Sequence, residues 1–162
     1  MKIKAINLEV EVYASENELA AADASLLEKA RQITRQAYAP YSNFHVGAAA
    51  VLENGEVVYG TNQENASYPV SICAERVLLG NAAMIFPDKA IITLAISYHN
   101  LNGKSDFPIS PCGMCRQALS EYEERVKHPI RIILSGLTGE IYIIERADQL
   151  LPLTFTSMDL KG

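Results

Sequence analysis

The stretch ISPCGMCRQ, residues 109–117, decides what kind of fold and site this chain can build. It holds two of the three cysteines, Cys112 and Cys115, which are separated by two residues and follow Pro111. Such a pair can be a redox couple, a structural zinc knuckle or part of a catalytic metal site. The choice among these depends on the third cysteine, Cys73.

The composition indicates one ordinary globular domain. The chain has 162 residues, of which 49% are hydrophobic and 20% are charged, and a chain of this length can bury a substantial core. No stretch approaches the ~20 consecutive apolar residues of a membrane span. The first residues, MKIKAINLEVEVY, alternate charged and apolar groups, unlike a signal peptide. We therefore expect no membrane association and a cytoplasmic location.

Charge and cysteine count narrow the class of ligand. The net charge of −5 argues against a nucleic-acid polymer as partner, because such binding depends on Lys and Arg neutralising phosphates. A small neutral ligand fits better. Three cysteines are an odd number for a disulfide framework, so metal binding or catalysis is the more natural use of the thiols.

The first half of the chain predicts a strand, a helix and a hairpin. Residues 2–13 alternate with the period of a strand. A helix is predicted to begin with Ser25 as its cap and to end before Pro40. The runs FHVGAAAVL and EVVYGTN flank ENG, which is the signature of a β-hairpin. We assign residues 1–24 to an N-terminal extension with a possible extra strand, and residues 25–162 to a single domain.

The second half alternates helices and strands. Helical spacing runs from Cys73 to Ile85, and a second helix is predicted from Ser110, with Pro111 at its first position, to about Arg125. The runs AIITLAISY, IRIILSG and EIYIIERA read as strands, the first of them buried on both faces of a sheet. This order implies a mixed sheet with helices packed on its faces.

The cysteines sit where thiolates are stabilised. Cys73 and Cys112 each stand at a predicted helix start, where free N–H groups and the helix dipole lower the pKa of a thiol. Three protein ligands leave a fourth zinc position open for water, whereas structural zinc sites normally have four protein ligands. A histidine could close the site, but none of the three has the short spacing to a partner that zinc knuckles show; the three are His45, His99 and His128.

Glu75 points to catalysis. It follows Cys73 by two residues in CAER, so its carboxylate can approach an open zinc position without being a ligand. Zinc deaminases combine three ligands, an activated water and a glutamate that shuttles protons, with the signature H-x-E or C-x-E and P-C-x-x-C. Here C-A-E occupies residues 73–75 and P-C-G-M-C residues 111–115.

These motifs resemble the small, homotetrameric cytidine deaminases. The resemblance is carried by YAPYSNFHVGAA, NQENASYPVSICAER, SPCGMCRQ and LLPLTF, in that order, over most of residues 38–155. It implies an α/β fold, a cytidine-deaminase-like three-layer α/β/α sandwich with a mixed five-stranded sheet. It also implies a homotetramer with one zinc per chain that hydrolytically deaminates cytidine and deoxycytidine in pyrimidine salvage.

The resemblance also assigns roles to residues. Glu75 is the proton shuttle, Phe44 packs on the base, Ala74 offers its backbone N–H to the base carbonyl, and Asn62 and Glu64 bind the ribose. The zinc ligands are Cys73, Cys112 and Cys115. In the family the arginine at the position of Arg76 hydrogen-bonds the ligand sulfurs, and Arg116 and Gln117 are further candidates for such support. Two residues are implied to reach the active site of a neighbouring subunit, Tyr68 and Phe155.

Other functions have identifiable signatures. CAERVLLGNAA also resembles a helix of blasticidin S deaminase, but NQENASYP keeps the ribose pattern of the cytidine enzymes. A non-catalytic zinc module predicts a fourth protein ligand and no need for Glu75. A thiol redox protein would leave Cys73 idle. Editing of DNA or RNA fits poorly with an acidic chain that lacks a basic, aromatic-rich channel.

Overall fold

A computed structural model describes residues 1–161, and Gly162, the last residue of the predicted domain, lies outside the described residues. It shows a mixed sheet with helices on both faces, as expected. The strands are β1 (Glu11–Tyr13), β2 (Phe44–Leu52), β3 (Val57–Thr61), β4 (Ile91–Asn100), β5 (Arg131–Ser135) and β6 (Ile141–Ile144). The helices are α1 (Ala21–Ile33), α2 (Ala74–Ile85), α3 (Gly113–Val126) and α4 (Ser157–Lys161). None of the helices in the described residues is long and apolar enough to cross a membrane.

Within residues 1–161 the sheet has six strands and not the expected five. Their order is β1-β6-β5-β4-β2-β3, with β4 and β5 parallel and all other neighbours antiparallel. The sixth strand, β1, pairs Glu11 with Ile143 and Tyr13 with Ile141. It is much shorter than the alternation over residues 2–13 suggests, because its partner β6 is only four residues long.

The sheet is covered on both faces, so its central strands are almost wholly apolar. Successive residues of β2 face opposite layers: Ala48 and Ala50 belong to the core shared with α2 and α3, whereas Ala49 belongs to the core shared with α1. In the same way Leu94 and Ala95 of β4 point to opposite layers. The result is three layers, with α1 on one face and α2 and α3 on the other.

Two predicted helix starts are shifted. Helix α1 begins at Ala21, four residues before Ser25, because Asp23 in its first turn pairs with Arg131 through two hydrogen bonds of 2.8 and 2.9 Å. Helix α3 begins at Gly113 with Cys112 as its N-cap, so Pro111 precedes the helix. Neither shift could be predicted from the local sequence pattern, because the first involves a tertiary contact and the second depends on the geometry of the helix cap.

A glycine lets α2 lie directly on the hairpin. Strands β2 and β3 are joined by a turn in which Gly55 has φ of +83°. A Cβ added to Gly60 in β3 would lie 2.2 Å from the carbonyl oxygen of Ala74 and 2.5 Å from the nitrogen of Leu78. Gly60 thereby sets how close the first turn of α2, and with it Cys73, comes to the sheet.

Candidate active site

The starts of α2 and α3 bring the three cysteines into one cluster. Cys73 is the N-cap of α2, Cys112 is the N-cap of α3, and Cys115 lies in the first turn of α3. The sulfur atoms of Cys73 and Cys112 are 3.7 Å apart, and those of Cys112 and Cys115 are 3.4 Å apart. All three sulfurs lie within 4.8 Å of one another, and no disulfide joins them.

This donor set fits a zinc ion. Zinc–sulfur bonds of ~2.3 Å in a tetrahedron place the sulfurs about 3.8 Å apart, close to the two shorter separations here. Among residues 1–161, no His, Asp, Glu or further Cys joins the group. Three thiolates with an open fourth position are characteristic of a catalytic zinc site and not of a structural one.

The thiols influence one another strongly. The neighbouring Cys115 thiol lowers the pKa of Cys73 to about 6, against the opposing effects of burial and the Glu75 charge; Cys112 and the charge of Arg76 act in the same direction as Cys115. The pKa of Cys115 is raised by its interaction with Cys73 and by burial. One thiolate therefore forms readily, and a cation is needed to stabilise all three.

Glu75 is a buried carboxyl group beside this cluster. Its residue exposure is 5%, and burial raises its pKa, although its own backbone N–H and the neighbouring Cys115 thiol partly oppose the shift. A carboxyl group in such surroundings can hold a proton and also release one, which is what a general acid–base residue must do.

The three supporting residues have different surroundings. Arg76 makes no hydrogen bond to a cysteine sulfur in the described part of the chain and acts on Cys73 through its charge. The Arg116 guanidinium donates to the carbonyl oxygens of Pro111 at 2.8 Å and Leu150 at 3.0 Å. Gln117 donates through Nε2 to the carbonyl oxygen of Phe155 at 2.9 Å. The last two therefore face the C-terminal segment.

Asn62 is fixed by the backbone of β2. Its side-chain carbonyl accepts from the N–H of Val46 at 2.7 Å, and its amide donates to the carbonyl oxygen of Phe44 at 2.8 Å. A side-chain amide has two N–H groups, so one N–H of Asn62 is not used by these contacts.

Glu64 lines a cavity of about 370 Å³, together with Tyr41, Ser42, Tyr68 and Ser71. Its carboxylate accepts from the N–H groups of Tyr41 at 2.9 Å and Ser42 at 3.3 Å, and from the Ser42 hydroxyl. Burial tends to raise the pKa of Glu64, but these hydrogen bonds outweigh it and the pKa is lowered. Glu64 is thus held as an oriented anion.

Phe44 and Ala74 are the two residues expected to contact the base. Phe44 is half-buried and stacks on Tyr98 of β4, with ring centroids 4.8 Å apart and an interplanar angle of 16°. Ala74 is buried at the first position of α2. Sequence reasoning missed two residues of the site, Ser42, which bonds Glu64, and Tyr98, which stacks on Phe44. A polar residue beside Phe44 in YSNF is a weak signal for Ser42, whereas Tyr98 gives no signal because it lies inside an apolar strand.

The two residues predicted to serve a neighbouring chain are on the surface. Tyr68 is 70% exposed and contacts the edge of Tyr41, with centroids 5.8 Å apart, whereas Phe155 is 58% exposed. Phe155 also borders a cavity of about 680 Å³ that lies along the C-terminal half of α3 and is not lined by any of the three cysteines.

Comparison with known proteins identifies this arrangement. Residues 20–128 match the cytidine and deoxycytidylate deaminase zinc-binding region. The chain belongs to the cytidine deaminase family. It is therefore a deaminase, an enzyme of the hydrolase class.

Individual members of the cytidine deaminase family align over most of the chain. A cytidine deaminase of Halalkalibacterium halodurans is 36% identical over 135 residues, covering 83% of this chain and 95% of the relative. The crystal structure of a cytidine deaminase from Burkholderia pseudomallei superposes with a TM-score of 0.70 at 35% identity, covering 85% of this chain and all of the other. A blasticidin-S deaminase of Bacillus cereus is 28% identical over 136 residues, covering 83% and 92% of the two chains.

Proposed function

We propose that this cytidine deaminase family member hydrolytically deaminates cytidine and deoxycytidine to uridine and deoxyuridine with release of ammonia, in pyrimidine salvage. The observation that carries the proposal is the cluster of three cysteine sulfurs, all within 4.8 Å, with the buried carboxyl group of Glu75 beside it. Its similarity to cytidine deaminases over more than four-fifths of the chain supports the substrate class.

Cys73, Cys112 and Cys115 hold one zinc per chain in this proposal. When bound, zinc would supply Lewis-acid chemistry and lower the pKa of water in its open position toward ~7. Glu75 takes one proton from the attacking water and delivers it to the ring nitrogen next to the carbon that carries the amine, while the water oxygen bonds to that carbon. Glu75 then moves the remaining proton of that oxygen to the amine; the carbon–nitrogen bond breaks, ammonia leaves, and the oxygen becomes the new carbonyl of uracil. The charge of Arg76 offsets part of the negative charge of the three thiolates.

The nucleoside is held by two residues that contact the base and two that contact the sugar; one of the latter, Glu64, lines the cavity of about 370 Å³. Phe44 packs against the base, and the N–H of Ala74 binds the base carbonyl. The free N–H of Asn62 and the Glu64 carboxylate bind the sugar hydroxyls, with Glu64 accepting from the 3′-hydroxyl. Because deoxycytidine keeps that hydroxyl, both nucleosides are expected substrates, whereas free cytosine leaves these polar groups unpaired and should be poorer.

Assembly and location are part of the same proposal. We infer a homotetramer in which Tyr68 and Phe155 reach the neighbouring sites, supported by the exposure of both aromatic side chains. Gln117, two residues after the zinc ligand Cys115, supports the start of α3, where its side chain donates a hydrogen bond to the carbonyl oxygen of Phe155. We also infer a cytoplasmic location, supported by the three cysteines, none of which forms a disulfide in the described residues, because disulfides are rare in the reducing cytosol. The domain comprises residues 25–162, with residues 1–24 as an extension, and binds neither nucleic-acid polymers nor membranes.

The similarity to a blasticidin-S deaminase makes that activity the second candidate. Both are tested by incubating the zinc-replete protein with cytidine, deoxycytidine or blasticidin S and following ultraviolet absorbance and ammonia release. Turnover of the two nucleosides supports the proposal. Turnover of blasticidin S alone, or of none of the three by a folded chain with one zinc, contradicts it.

A further inference from the structure

The segment after β6 is held on helix α3. Residues 147–150 form a short 3-10 helix, and the Glu123 carboxylate accepts hydrogen bonds from two backbone N–H groups there, each at 3.0 Å. At the other end of α3, the Arg116 guanidinium donates hydrogen bonds to the carbonyl oxygens of Leu150 and Pro111. Pro111 directly precedes Cys112 in the chain. The helix that carries two cysteines is therefore connected to the C-terminal segment at two places.

Beyond Leu150 the chain makes a tight turn that presents apolar groups outward. Leu153 has φ of +59° and is 89% exposed, and Phe155 follows it on the surface. The Thr154 hydroxyl donates to the carbonyl oxygen of Leu151. A non-glycine residue in the left-handed region persists only where surrounding contacts determine the backbone. The turn therefore has a defined backbone conformation that is fixed by its hydrogen bonds.

Gln117 makes the contact that fixes Phe155 itself. Its Nε2 donates to the Phe155 carbonyl oxygen at 2.9 Å, and it follows Cys115 by two residues on α3. After this contact, Thr156 bonds through its N–H and hydroxyl to the Asp159 carboxylate at 2.7 and 2.9 Å, which caps α4. The backbone is thus fixed on both sides of the exposed ring.

We propose that Gln117 is a positioning residue that holds Phe155 in the orientation needed to enter the active site of a second copy of this chain. This inference rests on the proposed function, in which Phe155 serves a neighbouring subunit. Cys115 and Gln117 share one turn of a rigid helix, so the turn that holds the metal in one subunit also supports the nucleoside pocket of the next.

The test uses Gln117→Glu, which keeps the shape of the side chain but loses the donor, and Gln117→Ala as a second variant. Glu121→Gln is the control, because Glu121 is exposed one turn further along α3 and makes no hydrogen bond within the described residues. Measurements are zinc per chain, kcat and KM for cytidine, and amide hydrogen exchange of residues 151–161.

Loss of one hydrogen bond predicts that both Gln117 variants raise KM about three- to tenfold and speed exchange of residues 151–161 by a similar factor. Zinc content should be unchanged and kcat less affected than KM. In a Phe155→Ala background, Gln117→Glu should add little to KM, since coupled residues are not additive.

Loss of zinc in Gln117→Glu, additive effects with Phe155→Ala, or exchange and KM equal to those of Glu121→Gln would each overturn the proposal. The proposed function fails separately, if the wild-type chain turns over neither nucleoside. In that event the exchange comparison still decides whether Gln117 holds the Phe155 segment.

Discussion

The side-chain amide of Asn62 donates a hydrogen bond to the carbonyl oxygen of Phe44 at 2.8 Å, and its carbonyl accepts from Val46. The hydrogen bond to Phe44 joins Asn62, which is proposed to bind the sugar, to the residue that is proposed to pack against the base. The end of β3 and the start of β2 are therefore fixed relative to each other before substrate binds, which lowers the ordering cost of binding.

Asn62→Asp tests this pair. Aspartate keeps an acceptor for the Val46 N–H but donates neither to Phe44 nor to a sugar hydroxyl. We expect KM for cytidine to rise at least about tenfold, since losing a hydrogen bond worth ~1.5 kcal/mol corresponds to that factor. KM for free cytosine should rise less, because the free base is affected only through the lost bond to Phe44. An equal rise for nucleoside and free base would contradict the sugar contact.

Ser42→Ala tests the electrostatics of Glu64. Hydrogen bonds from Ser42 and Tyr41 lower the pKa of Glu64 below 4.5, so the charged form stabilises the folded state above that value, and this contribution is lost as the pH falls through the lowered pKa. The destabilisation caused by Ser42→Ala should therefore be larger at about pH 6 than at about pH 3.5. Denaturant unfolding at both pH values measures it, and a pH-independent difference would count against the account.

Gly60→Ala tests how α2 is placed. The new Cβ would lie 2.2 Å from the Ala74 carbonyl oxygen, so α2 must move away from β3, and overpacking of this kind costs about 1–3 kcal/mol of unfolding free energy. Zinc affinity should fall as Cys73 is displaced. Gly80→Ala in α2 is the control, because within the described residues no atom other than its chain neighbours and its own helix backbone lies within 4 Å of the added Cβ; it should leave zinc affinity unchanged.

Arg76→Ala tests the charge near the thiolates. Removing a cation that lowers the pKa of Cys73 should weaken zinc binding or activity by about 10- to 100-fold, with Arg76→Lys recovering part of the loss. Competition with a chromogenic chelator measures the affinity. A variant that matches wild type in both affinity and kcat would show that the charge is unimportant.

Much of the fold and site follows from local pattern. Each of Cys73 and Cys112 precedes a run with helical spacing, which predicts a helix start at both, and the ENG turn predicts the β2–β3 hairpin. Pairing of β1 with β6, the bridge from Asn62 to β2 and the contact from Gln117 to Phe155 could not be predicted in this way. They join residues far apart in the chain through hydrogen bonds to backbone, which leave no pattern in the side chains.

The most direct test of the whole account is kcat for cytidine of Glu75→Gln, measured with zinc content and with Glu121→Gln as a matched control. The amide preserves the shape of the buried side chain and cannot take up the proton. We predict one zinc per chain, an unchanged fold and a kcat lower by about 10²- to 10⁴-fold. A zinc-replete, folded Glu75→Gln enzyme with a kcat close to that of the wild type would contradict the assignment of Glu75 and the mechanism built on it.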